Sequence, residues 1–120
     1  MNSQELKTRT KLFGLKIILL VEKLPRSKTL DIINRQLLRS ATSIGANYRA
    51  ACRARSKADF VSKIGIVEEE SDESVYWLEL LIETKLVTDT QIHVLLKEAN
   101  ELTAIFTATG RTTKEKQKNE

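Results

Sequence analysis

From Leu6 to Phe106 the apolar residues return at steps of three and four, and in 120 residues only Pro25 and four glycines interrupt the pattern. A strand would need a period of two, whereas this period puts one stripe on a helix. Four rows can be read. The first is Leu6, Thr10, Phe13, Ile17, Leu20 and Leu24, and the second is Leu30, Ile33, Leu37, Ala41, Ile44, Tyr48 and Cys52. The third is Phe60, Ile64, Val67, Ser71, Val75, Leu78 and Ile82, and the fourth is Ile92, Leu95, Leu96, Ala99, Leu102 and Phe106. Strand-like alternation between turn residues is absent.

Start and stop signals separate the rows. Ser3 is the expected cap of the first helix and Pro25 its end. The second is predicted to start near Ser27 to Thr29 and to run to about Ala54. Ser56 with Asp59 three residues on marks a third reaching Leu86. Thr88 with Gln91 marks a fourth, and Gly110 suits its stop. Connections this short force successive helices antiparallel, so the expected fold is all-α, an antiparallel up-down-up-down four-helix bundle over residues 1–110. Residues 111–120 have no apolar side to bury and are expected to be a disordered charged tail. Gly14, Gly45 and Gly65 fall inside helices, which suggests close backbone approach, with Gly65 expected level with Gly45 and Ala46 across the second and third helices.

The second helix carries two rows at about 100° per residue. Its apolar row lies opposite Arg35, Arg39, Thr42, Ala46, Arg49 and Arg53. The net charge is +4, too small to argue for a polyanion partner by itself, but its distribution is uneven. Arg49, Arg53, Arg55, Lys57 and Lys63 gather at one bend, while Glu68, Glu69, Glu70, Asp72, Glu73, Glu79 and Glu83 follow on the third helix. A basic end and an acidic flank are expected. Folding back sets Asp72 near Arg39, with Glu69 and Glu73 a turn to either side, so Arg35 and Arg39 are open to internal pairing. Arg49, Arg53 and Arg55 have only Lys57, Asp59 and Lys63 opposite them.

More apolar surface is present than four buried rows use. Leu12, Leu15, Ile18 and Leu19 lie off the core row of the first helix, and Ile66, Trp77 and Leu80 off that of the third. Such a patch marks an interface, for which Leu12, Leu15, Leu19, Ile66, Trp77 and Leu80 are the candidates, in a homo-oligomer. The alternative is that broad rows widen the core contact.

The sequence carries no recognisable catalytic constellation. His93 stands alone, and Cys52 with His93 is too small a set for zinc. A di-iron bundle needs Glu-x-x-His pairs, and Thr90 stands three residues before His93. The chain has no phosphate-cradling glycine loop. The longest apolar run, Ile17 to Val21, is far short of a membrane span. One cysteine and no signal peptide make the cytoplasm the default. Neither enzyme activity, cofactor, metal, membrane nor small-molecule substrate is expected.

The segment LLRSATSIGANYRAACRARSKADF, followed by EEESDESVYWLELL, resembles the four-helix bundle proteins of the 23S ribosomal RNA intervening-sequence family over about Thr8 to Phe106. The run Arg39 to Asn47, the R-S-K-A-D-F start of the third helix and the run Tyr76 to Leu80 carry the resemblance. Many members continue Gly-Ala-Asn with an Ala-Glu-Gly type sequence, where Tyr48-Arg49-Ala50-Ala51 stands here. The resemblance implies a ring, typically a homopentamer. A related member, the accessory protein of diversity-generating retroelements, binds nucleic acid, and other members are encoded within insertions in large-subunit ribosomal RNA genes. It supplies no catalytic residues. The expected function is a non-enzymatic oligomeric module binding RNA or DNA through Arg49, Arg53, Arg55, Lys57 and Lys63, with Tyr48 the one aromatic group close by. The alternative is a protein-interaction scaffold whose arginines form ion pairs within or between subunits.

Overall fold

The protein, in a computed structural model that describes residues 1–119, folds into α1 (Ser3–Lys23), α2 (Lys28–Cys52), α3 (Lys57–Glu83) and α4 (Gln91–Lys118), with no strand among the described residues. Each helix packs on its sequence neighbours and α1 closes the ring on α4, while the diagonal pairs stay apart. The facing residues run in opposite directions. Gly14 meets Ala41 and Thr42 where Gly45 meets Thr10 and Lys11. Likewise Arg9 reaches Glu98 and Glu101 where Lys23 reaches Asp89. The bundle is therefore antiparallel and up-down-up-down, about 52 Å long and 21 to 23 Å across.

Local chemistry sets the ends. Ser27 caps α2, accepting the Leu30 amide at 3.1 Å, and Ser56 caps α3, accepting the Asp59 amide at 3.0 Å. Asp59 in turn accepts the Arg55 amide, a reciprocal arrangement close to a capping box. Two caps differ from expectation. Asn2 rather than Ser3 caps α1, since its side chain accepts the Glu5 amide at 2.8 Å and returns a bond to the Glu5 carboxylate. At α4, Asp89 rather than Thr88 accepts a terminal amide, that of Gln91. α3 ends at Glu83, short of Leu86, because Lys85 turns the chain in the left-handed region at φ 58°.

The expected stop at Gly110 is also corrected. No glycine has a positive φ, and α4 passes through Gly110 to Lys118. Extending an existing helix needs no nucleation. Thr109 and Thr113 bond back to carbonyls four residues earlier, and Lys116 and Lys118 sit at the negative end of the helix dipole. Residues 111–118, read from the sequence as disordered, are helical; Glu120 lies outside the described residues.

The four rows form the core. Every member of the α1 row is buried, as are Leu30, Ile33, Leu37, Ala41, Ile44 and Tyr48 of the α2 row. Cys52, Phe60, Ile82 and Leu96 are partly buried at its margins. Between α2 and α3 the buried Ser40 and Ser74 hydroxyls meet at 2.9 Å, and each also bonds a carbonyl of its own helix. Small side chains thus allow close packing without orphaned hydroxyls. The glycines divide differently from expectation. Gly14 and Gly45 mark close approach between α1 and α2, where a Cβ on Gly45 would sit 3.4 Å from α1 backbone. Gly65 is not a point of close approach, since a Cβ there would meet nothing within 4 Å. Gly65 costs α3 about 1 kcal/mol relative to alanine with no packing reason.

Candidate nucleic-acid interface

Antiparallel winding brings the start of α1, the α2–α3 turn and the last turns of α4 to one end of the bundle. Residues 1–11, 49–63 and 107–118 carry twelve basic side chains against three acidic ones. The rest of the chain holds eight basic and thirteen acidic side chains, so a positive end stands on a negative body.

Three depressions open at this end, each with cations on its wall. The α1–α2 groove is lined by Lys7, Lys11 and Arg49, with Leu15 and Ile18 further along it. The cleft at the α2–α3 turn is lined by Arg55 and Lys57 beside Cys52 and Phe60. The α3–α4 groove is lined by Arg111 and Lys114. Arg49, Arg53 and Arg55 are exposed, and their guanidinium groups form neither hydrogen bond nor ion pair among the described residues. Lys63, by contrast, is bound to Asp59 at 2.6 Å. The Lys63 ammonium first, and then the Arg55 amide, hold the Asp59 carboxyl below its usual range. Thus the sequence-named cluster of Arg49, Arg53, Arg55, Lys57 and Lys63 is brought to one end, with Lys63 largely neutralised by Asp59.

Arg39 belongs elsewhere. Its guanidinium binds Glu73 and, at 3.5 Å, Glu70, so Asp72 is not its partner and points to solvent instead. Glu73 also accepts the Trp77 indole N–H, and the Arg39 bond is the main reason its carboxyl is held low. Arg35 acts on Asp31 only through space. Tyr48 is no stacking platform. It is buried against Phe106 with ring centres 5.4 Å apart, and burial pushes its phenol well above the usual range.

Two features escaped the sequence reading. Arg111 and Lys114 join the basic end because α4 continues where a stop was expected. Arg9 is a fastener: it binds Glu98 through two nitrogens at 2.6 and 2.7 Å and Glu101 at 2.9 Å, holding α1 on α4, its thinnest contact. A long-range arginine–carboxylate pair has no spacing signature in sequence.

The candidate interface residues split in two. Leu12, Leu15 and Leu19 are 47%, 48% and 67% exposed, with Ile18 between them, and Ile66 is exposed on α3. Trp77 and Leu80 are partly buried against the core. His93 is exposed, no group of three or more metal-ligating side chains occurs among the described residues, and none of their helices is long and apolar enough to cross a membrane.

A solved structure of a protein of unknown function from the S23 ribosomal protein family of Bacteroides thetaiotaomicron is similar to this chain. It is 34% identical, with a TM-score of 0.82, over 92% of this chain and 99% of that one. No curated protein matches. The model of the 23S rRNA-intervening sequence protein family matches residues 3–108, which takes in α1, α2, α3 and α4 as far as residue 108. The chain therefore belongs to the 23S rRNA-intervening sequence protein family.

Proposed function

We propose that the protein is a non-enzymatic, cytoplasmic, homo-oligomeric helical module that binds nucleic acid, RNA foremost, through its basic end. One observation carries this reading: Arg49, Arg53 and Arg55 present guanidinium groups with no carboxylate bound to them among the described residues, at the end of the molecule where basic side chains outnumber acidic ones twelve to three. With Tyr48 buried, recognition rests on phosphates and shape rather than on base stacking. Assembly through the exposed apolar side of α1 would repeat the basic end on each subunit, so modest contacts gain by multivalency. A homopentamer is the arrangement implied by family resemblance.

The scaffold alternative has Arg39 in its favour, which is spent on Glu70 and Glu73 within the subunit. Replacing Arg49, Arg53 and Arg55 together by glutamine separates the readings. Retention of labelled RNA at low salt is expected to be lost while sedimentation is unchanged. Dissociation of the assembly with RNA retention intact would place these arginines in subunit contacts and remove the nucleic-acid reading.

A further inference from the structure

We infer that the groove between α3 and α4 at the basic end is a second contact strip for the phosphate backbone of RNA, formed by Arg111 and Lys114 and continued by Lys118. This deepens the proposed function and rests on it, but involves different residues on a different helix. The three cations are spaced three and four residues apart on a continuous helix, so they form one row along about 10 Å at 1.5 Å per residue. Arg111 and Lys114 face the groove and have neither hydrogen bond nor ion pair among the described residues. One acid lines the groove, Glu68, which accepts the Thr107 hydroxyl at 2.5 Å and keeps its charge. The lining therefore carries two positive side chains against one negative.

The floor of the groove is bare. Gly65 lines it, and a Cβ there would project into open space. A volume of about 270 Å³ is just below the range of enclosed small-molecule pockets, and suits a strand lying along the helices, where a missing side chain admits close approach of its backbone. Across α3 lies the turn that carries Arg53 and Arg55, so the two sets of cations flank the first turns of one helix and a strand can engage both.

The test measures binding of a fluorescent oligouridine to the full chain across a salt series, for Arg111→Gln with Lys114→Gln, for Gly65→Leu, and for the triple glutamine variant at Arg49, Arg53 and Arg55. Loss of two phosphate contacts is expected to flatten the slope of log K against log salt by about 1.4, with affinity roughly tenfold lower at low salt. Gly65→Leu is expected to lower affinity while leaving sedimentation unchanged and the melting temperature equal or higher. Unchanged binding by the Arg111/Lys114 variant, with loss in the triple variant, overturns the groove and leaves the α2–α3 site standing. A change of sedimentation by Gly65→Leu with binding unaltered overturns it in favour of a subunit contact. Preference for anionic vesicles over RNA at equal salt overturns it as well, and failure of the full chain to bind oligouridine at low salt removes both proposals.

Discussion

Single residues on this bundle fall into those whose surroundings explain them and those that leave slack. Gly65 leaves slack: with open space where its Cβ would be, Gly65→Ala is expected to raise stability by about 1 kcal/mol, read as a higher urea midpoint at unchanged slope. Lys85 leaves slack in the backbone, at φ 58°, so Lys85→Gly is expected to gain roughly 0.5–1 kcal/mol in the same assay. Gly45 leaves none. Its Cβ position lies 3.4 Å from α1 backbone, and Gly45→Leu is expected to cost at least about 2 kcal/mol by forcing α1 and α2 apart. Core positions were legible because a period near 3.6 selects them whatever their partners. The glycines were legible in part: close approach was expected at all three and holds at Gly14 and Gly45 but not at Gly65, because which helix a glycine faces depends on the roll of both helices, and periodicity fixes only the roll of each relative to its own row. Tyr48 stood on the apolar row and is buried accordingly, so its proximity to arginines in sequence said nothing about access.

At the scale of the helix, charge decides what apolar packing leaves open. α1 meets α4 over the smallest contact in the ring, and Arg9 with Glu98 and Glu101 closes that seam. The Arg9 bond is the main reason the Glu98 carboxyl titrates below its ordinary value of 4.5, and Arg39 does the same for Glu73. A carboxyl whose pKa is lower folded than unfolded stabilises fully above its unfolded pKa, and the contribution disappears as pH falls through the folded one. Stability is therefore expected to decline as pH drops below about 4.5, and Glu98→Gln is expected to flatten that decline, measured by urea unfolding across the acid range. Helix ends show how far local signals reach. Ser56 was legible as a cap, and Ser27 fell within the expected start of α2, because a side chain three residues from the amide it accepts is a local geometry. Gly110 misled because glycine ends a helix only when it takes a left-handed φ, and here the Lys- and Thr-rich segment beyond it extends a helix already nucleated. That segment is nearly all exposed, so removing residues 111–120 is expected to change unfolding free energy by less than about 0.5 kcal/mol, which keeps the tail available for truncation in binding assays.

Over the whole molecule, the up-down winding converts scattered basic residues into one positive end, because it superposes the start of α1, the end of α2 and the end of α4. The sequence made the α2–α3 part of that end visible as a cluster. The α4 part depended on how far the helix ran, and the α1 part on which way it pointed. Along the outer side of α1, Leu12, Leu15 and Leu19 run away from the positive end toward the opposite pole, so subunits joined there can keep their basic ends exposed and on one rim. Leu15→Lys with Leu19→Lys alters two side chains that are already about half or more exposed, and the fold of the subunit is expected to survive with an unchanged helical spectrum. Sedimentation is expected to show a smaller species, and affinity for a long RNA to fall much more than affinity for a short oligonucleotide, since only the long strand spans several subunits. Equal losses on long and short RNA would mean that each subunit binds alone, and an unchanged sedimentation coefficient would move the subunit contact away from this side of α1.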